Sequence, residues 1–300
     1  MFIRRLPAFE YHTPASVAGA IGLLKKYGSK AKIIAGGTDL LLAMKKRVLM
    51  PEHLINVKNI KALRGISFSE KEGLKIGALV TCAELEASKV VRRRAPALWD
   101  AAYVMASPQV KTLATIGGNL CSAVPSADTA PPLIALGAQA LLSGPKGKRT
   151  VAVENLFKGP AETAVERDEI LVQILVPKPA KQSSAVYLKL MRRAALDLAL
   201  VGVAAYVCLD ADKKTCKEVR IALGAVAPTP MRAPLAEKAL SGKEITEALA
   251  EEAGKMAGTV CSPITDVRAS REYRCNMVEV LTKRTVMEAF ARAKKGTSTK

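Results

Sequence analysis

Two glycine pairs dominate the chemistry open to this chain. The first lies in Ile34-Ala35-Gly36-Gly37-Thr38-Asp39-Leu40. The second, about eighty residues later, lies in Ala114-Thr115-Ile116-Gly117-Gly118-Asn119-Leu120. Each follows an apolar or β-branched run and sits beside small polar residues. Glycine lets backbone N–H groups approach an anion that a Cβ would hold away. Successive N–H groups in a tight turn form a concave anion site, and a following helix adds its positive end. One such loop reads as an ordinary turn from strand to helix. Two in one domain predict a diphosphate gripped from two sides, as in a dinucleotide cofactor. Neither loop is G-x-G-x-x-G and neither is a P-loop with its lysine, so those two motifs do not explain the pair.

Other residues add to the pattern. Asp128 precedes a helix and reads both as its N-terminal cap and as a carboxylate for a ribose hydroxyl. The run Lys189-Leu190-Met191-Arg192-Arg193-Ala194-Ala195-Leu196-Asp197 packs three cations beside an apolar strand. It fits a solvated turn, and it fits cations beside a flavin ring, where positive charge stabilises a reduced, anionic form. The two histidines, His12 and His53, read as structural, which makes a hydrolase triad a poor fit. No metal site is expected. The cysteines (Cys82, Cys121, Cys208, Cys216, Cys261, Cys275) are scattered without C-x-x-C spacing, which argues against zinc or iron–sulfur ligation here and for reduced cytoplasmic thiols. Cys121, directly after the second loop, reads as a small buried filler.

These residues need a scaffold. The 300 residues suffice for two domains, and with 49% hydrophobic but only 4% aromatic residues the core is Ala, Val, Leu and Ile. No apolar run approaches the ~20 residues of a membrane span. The opening MFIRRLPAFEYH lacks the apolar stretch of a secretory signal. The formal charge is +19, but the basic residues are dispersed in short runs such as Lys45-Lys46-Arg47 and Arg92-Arg93-Arg94, without interleaved aromatics. That predicts a solvated surface, or one facing acidic partner subunits, and not a nucleic-acid site.

Thr13-Pro14 opens a helix whose apolar residues (Val17, Ala20, Ile21, Leu23, Leu24) recur at helical spacing until Tyr27-Gly28. A strand at 32–35 feeds the first loop. Thr38 or Asp39 caps a helix through Leu40, Leu41 and Met44, and a strand follows at 54–57. This α/β unit covers about 1–58. A second unit, about 59–178, holds strands at 74–78, 139–142, 150–153 and 169–176, and helices after Thr81, at 95–105 and at 130–136. The proline-rich stretch 177–184 is the linker. An α+β domain over 185–290 follows, with strands at 186–191, 199–209 and 219–226 and helices at 233–240, 246–257 and 271–293.

At this point the residues resemble a known family, the FAD-binding medium subunits of molybdenum hydroxylases, which include those of carbon monoxide dehydrogenase and xanthine dehydrogenase. The likeness rests on Ala35-Gly36-Gly37-Thr38-Asp39-Leu40 and Thr115-Ile116-Gly117-Gly118-Asn119-Leu120. It also rests on Ser126-Ala127-Asp128-Thr129-Ala130-Pro131-Pro132, Glu169-Ile170-Leu171, Arg192-Arg193 with Asp197-Leu198-Ala199, and Ala225-Val226-Ala227-Pro228-Thr229-Pro230. These motifs span essentially the whole chain in the expected order.

The resemblance implies an α+β protein: a two-part FAD domain of the vanillyl-alcohol-oxidase (PCMH) type over 1–178, then a C-terminal α+β domain over 185–290. It implies that Ile33, Ile34, Ala35, Gly36, Gly37, Thr38, Asp39, Leu40, Thr115, Ile116, Gly117, Gly118 and Asn119 hold the FAD diphosphate. It places Asp128 on the adenosine part, Leu171 near the cofactor and Lys189 as the cation near the ring. No catalytic side chain is implied. FAD is expected to be noncovalent, since neither histidine lies in the loops. The four-cysteine insertion of the branch resembling 4-hydroxybenzoyl-CoA reductase is absent. Many relatives carry Arg-Asn where this chain has Lys111-Thr112. Partners implied are an iron–sulfur small subunit with 2Fe-2S clusters and a large subunit with the molybdenum cofactor, assembled as a dimer of heterotrimers. Electrons would pass through FAD to NAD, a quinone or another acceptor. The competing reading is a self-contained FAD-dependent dehydrogenase of the same fold.

Overall fold

The computed structural model describes residues 5–194 and 196–296. Residues 1–4 of the expected first domain, and Ala195 of the cationic run, lie outside the described residues. The N-terminal unit is a three-stranded parallel sheet in the order Glu10–His12, His53–Asn56, Ala31–Ile34. The helix Val17–Tyr27 covers it with Ala20 and Leu24, both buried against Ile55 and Val57. Its N-cap is Ser16, whose hydroxyl accepts from the Gly19 amide, and not Thr13. Gly28 closes it at φ 54°.

The second unit is a five-stranded antiparallel sheet in the order Ile66–Ser69, Gly73–Gly77, Ile170–Val176, Gln139–Gly144, Gly147–Ala152. The strand Ile66–Ser69 escaped the sequence reading because its alternation is short and half-buried. Helices Pro96–Val104 and Ala130–Ala135 pack on this sheet through Leu98, Ala101, Leu133 and Ile134. The helix after Thr81 is capped as its sequence implies, with the Thr81 hydroxyl accepting from the Glu84 amide and Glu84 returning a bond to the Thr81 amide.

The C-terminal unit is an antiparallel sheet in the order Ser183–Leu190, Val201–Leu209, Cys216–Gly224, Met231–Arg232. All nine residues of Val201–Leu209 are buried. Side chains of a strand alternate between faces, and here both faces are covered. Val203, Ala205 and Val207 face the helices Pro234–Leu240, Glu247–Thr259 and Arg271–Lys295. Ala204, Tyr206 and Cys208 join the core beneath the helices of the second unit. The α+β class expected from the sequence is the class observed.

The long helix carries one fully buried cation. Arg274 is 2% exposed and donates to the Leu200 carbonyl at 2.8 Å and to Asp266 Oδ1 at 3.0 Å. Hydrogen bonds from Arg268 and from backbone amides hold the Asp266 carboxyl well below the usual carboxylate range. A carboxyl lowered in the folded state adds stability above its unfolded pKa of about 4 and loses it as the pH falls below that value. Arg274→Met is therefore expected to cost about 3 kcal/mol in urea unfolding at neutral pH, because it leaves a buried carbonyl without its donor and Asp266 without one partner. Asp266→Asn is expected to flatten the loss of stability below about pH 4.

Candidate functional site

The first glycine segment leaves the sheet after Ile34, whose carbonyl accepts from the Val57 amide at 3.1 Å. Gly36 then lies against the backbone of Leu113, so closely that a Cβ would fall onto the Leu113 carbonyl. Gly37 takes φ +74°, and its carbonyl accepts from the Leu41 amide at 3.0 Å to start the helix Leu40–Lys45. Among the described residues, the amides of Gly36, Gly37, Thr38 and Asp39 have no acceptor within the chain. A run of unpaired amides is a ready anion cradle. Asp39 stands at the N-cap but its side chain makes no capping bond. It accepts instead from Ser122 Oγ at 2.6 Å, across to the second segment.

The second glycine pair is not in a loop. It occupies the first turn of the helix Ile116–Cys121, with Thr115 as N-cap accepting from the Gly118 amide at 3.0 Å. The Ile116 amide donates to Val80 O at 2.9 Å and the Gly117 amide to Ala78 O at 3.0 Å. Ala78 in turn donates to Val172 O at 2.9 Å, beside Leu171. Leu171 is buried opposite Leu142, where the register shifts between Leu171 and Gln173. The strand carrying Leu171 thus backs the second glycine segment. The preceding helix Pro108–Lys111 is anchored by Lys111, 7% exposed, whose ammonium donates to Glu86 Oε2 at 2.8 Å and to the Tyr103 carbonyl at 2.7 Å. Lys111 therefore turns inward as a brace.

Ile34, Thr115, Ile116 and Gly117 are buried, while Ile33, Ala35, Gly36, Gly37, Thr38, Leu40, Gly118 and Asn119 are half-buried and Asp39 is exposed. The structure brings all of them together around the contact of the two segments. Asn119 Oδ1 accepts from the Thr129 amide at 3.3 Å and from its hydroxyl at 2.5 Å. That bond ties the second segment to the stretch containing Asp128.

Asp128 does not cap the helix Ala130–Ala135, whose N-cap is Thr129 without a side-chain bond. Its carboxylate is buried and points across to the C-terminal sheet. Oδ1 accepts from Tyr187 Oη at 2.8 Å, and Oδ2 from Lys189 Nζ at 2.8 Å. The Lys189 side chain is 1% exposed. Tyr187 and Lys189 are two apart on the strand Ser183–Leu190 and so share a face. Burial pushes the Asp128 carboxyl up, with Lys189 and Tyr187 opposing it, and pushes the Tyr187 phenol well above its usual range. Each carboxylate oxygen keeps a further lone pair for a ligand hydroxyl. Arg192 and Arg193 are exposed and lie 3.9 Å from the Asp197 carboxylate. Sequence reasoning missed Tyr187 and Ser122. Tyr187 is detectable from strand alternation with Lys189, whereas nothing local marks Ser122. Cys121 is exposed as a residue, yet burial pushes its thiol up to about 12, as it does that of Cys82, so the sulfur itself is turned inward.

Two glycine segments in close contact, one with four unpaired amides, form the kind of backbone cradle that suits an anionic group such as the diphosphate of a dinucleotide. The particular family follows from comparison with known proteins. The chain belongs to the FAD-binding family of the molybdopterin dehydrogenases: residues 7–179 match the FAD binding domain in molybdopterin dehydrogenase, and residues 186–289 match the CO dehydrogenase flavoprotein C-terminal domain. It is similar to the carbon monoxide dehydrogenase medium chain of Hydrogenophaga pseudoflava, 39% identical over 95% of this chain and 98% of that one. It is similar to a putative xanthine dehydrogenase FAD-binding subunit of Escherichia coli, 34% identical over 94% of this chain and 96% of that one. Among solved structures, carbon monoxide dehydrogenase from Hydrogenophaga pseudoflava matches with a TM-score of 0.92 at 39% identity, covering 96% of this chain and 99% of that one. Quinoline 2-oxidoreductase from Pseudomonas putida 86 matches with a TM-score of 0.89 at 32% identity, covering 97% and 99%.

The buried pair gives a direct test. Asp128→Asn and Lys189→Met are each expected to lower stability by about 3–5 kcal/mol, because each leaves one charge buried without its partner. The double variant is expected to recover most of that loss. Urea unfolding of the four proteins measures the coupling.

Proposed function

We propose that this chain is the flavoprotein subunit of a molybdenum-containing hydroxylase, passing electrons from iron–sulfur clusters on a partner to NAD, a quinone or another acceptor. The observation that carries the reading is the run of unpaired amides at 36–39, set against the second glycine segment, in a chain of the FAD-binding family. Only a glycine at 36 lets this run lie against the Leu113 backbone, and the unpaired amides beside it suit a diphosphate. Bound FAD supplies the two-electron carrier between one-electron clusters and an acceptor.

The chain's own residues bind and orient. Residues 33–40 and 115–119 are assigned to the FAD diphosphate, through backbone amides and through Thr38 and Thr115. Leu171 is assigned to the surroundings of the cofactor. Asp128 and Lys189 are assigned jointly to one end of it. They are bonded at 2.8 Å, too close to serve opposite ends of an extended dinucleotide. FAD is held without a covalent link. No side chain here is assigned a proton-transfer role.

The iron–sulfur small subunit and the molybdopterin large subunit complete the enzyme, as a dimer of heterotrimers. An exposed apolar strip of Val48, Leu49 and Met50 beside Lys45, Lys46 and Arg47 supports a partner surface. All six cysteines are free, in keeping with a cytoplasmic site of action. Among the described residues, no helix is long and apolar enough to cross a membrane. The two profile matches support a division near 180, with the FAD domain before it and the C-terminal domain after it.

The test has two arms. The chain purified alone is expected to retain FAD, read as flavin absorbance per chain after gel filtration. Gly36→Ala is expected to lose it, because the new Cβ meets the Leu113 carbonyl, and Gly118→Val is expected to lose it while still folding. Full flavin content in both variants would overturn the two-segment site. Recovery of the tagged chain from its native cells with an iron–sulfur and a molybdopterin subunit supports the subunit reading. A chain that reduces an acceptor without partners would replace it with a self-contained dehydrogenase.

A further inference from the structure

The N-terminal sheet carries a second constellation, apart from the glycine segments. The parallel strands Glu10–His12 and His53–Asn56 pair Glu10 with His53. His12, two residues beyond Glu10, shares its face. His12 Nε2 lies 3.2 Å from His53 Nδ1, and Glu10 Oε2 lies 3.3 Å from His53 Nδ1 and 3.7 Å from His12 Nε2. Three donor atoms thus form a near-equilateral triangle. For metal–nitrogen bonds of about 2.0–2.1 Å, the edge of a tetrahedron is about 3.3–3.4 Å. The triangle therefore has the size of one face of a tetrahedral coordination shell.

The cluster is also built rather than incidental. The Tyr27 ring, at the end of the covering helix, stacks on His53 with centroids 3.7 Å apart and planes at 20°, and on His12 at 5.0 Å and 27°. Stacking fixes ring orientation, a task that hydrogen bonds to the second ring nitrogen perform in most histidine metal sites. The histidine side chains are only 19% and 12% exposed. Two imidazole nitrogens and a carboxylate oxygen turn toward one point, and each of them can present a lone pair there. A dication satisfies all three.

We infer that Glu10, His12 and His53 form a binding site for a divalent cation of the zinc class, tetrahedral, with its fourth position open to solvent. Imidazole and carboxylate together suit Zn2+. The Glu10 side chain is 70% exposed, so the open position faces outward. The site clips the three-residue edge strand Glu10–His12 to the sheet that leads into the first glycine segment. The sequence reading assigned both histidines a structural role and missed Glu10 as their partner, because the two imidazoles come from strands 41 residues apart.

The experiment uses the full chain, stripped with a chelator, dialysed against Zn2+ and desalted. Metal content by mass spectrometry is expected to be one zinc per chain, with a higher melting temperature than the stripped protein. His12→Gln and His53→Gln are expected to lose the bound zinc, and Glu10→Gln to weaken it at least tenfold. Because Glu10 is exposed, Glu10→Gln is expected to keep its flavin content and circular dichroism, which separates loss of metal from loss of fold. Co2+ in place of Zn2+ is expected to show tetrahedral visible bands without a thiolate band in the near ultraviolet, which excludes the cysteines as ligands. Retention of no zinc by the wild-type chain, equal retention by the His12→Gln and Glu10→Gln chains, or a thiolate band would each overturn the site.

Discussion

The backbone of Gly36 rests directly on the carbonyl of Leu113, and the rest of the site depends on that contact. A backbone-to-backbone approach of this kind admits no side chain on the near side. It fixes how far the N-terminal sheet stands from the second unit. It also sets the unpaired amides of 36–39 beside the helix that begins at Thr115. The Ser122–Asp39 bond then spans the same junction with side chains. The anion cradle is thus built from geometry shared between two units. Neither segment alone would supply it.

The second organising interaction is the Asp128–Lys189 pair with Tyr187. Burying two charges costs several kcal/mol of desolvation each, so such a pair adds little to net stability. What it does add is register. Only one alignment of the strand Ser183–Leu190 puts the phenol and the ammonium on the two oxygens of a carboxylate that belongs to the other half of the chain. Through Asn119 and Thr129 that alignment reaches the second glycine segment.

Much of this was legible in the sequence. The helices Val17–Tyr27 and Arg271–Lys295 and the strands Ile170–Val176 and Val201–Leu209 announce themselves by periodicity or by long apolar runs, and both glycine pairs mark the site. The misses share a physical cause. Asp128 has the local look of a helix cap, yet its partners lie 59 and 61 residues away. The second glycine pair looks like a loop, yet Thr115 and the carbonyls of Ala78 and Val80 draw it into a helical turn. Lys189 looks like a free cation, yet its neutralising charge comes from another sheet. Local pattern reports propensity, while these outcomes are set by distant groups competing for the same hydrogen bonds.

The strand Val201–Leu209 has a consequence for how the molecule comes apart. Its two faces belong to two different cores, one under the C-terminal helices and one under the helices of the second unit. Domains separated by a thin polar interface can melt one at a time. Here one strand is interior to both cores, with Ala204, Tyr206 and Cys208 in one and Val201, Val203, Ala205, Val207 and Leu209 in the other, so pulling it from either core strips the other. A division near residue 180, expected from the sequence, leaves this strand packed into the cores on both sides of it.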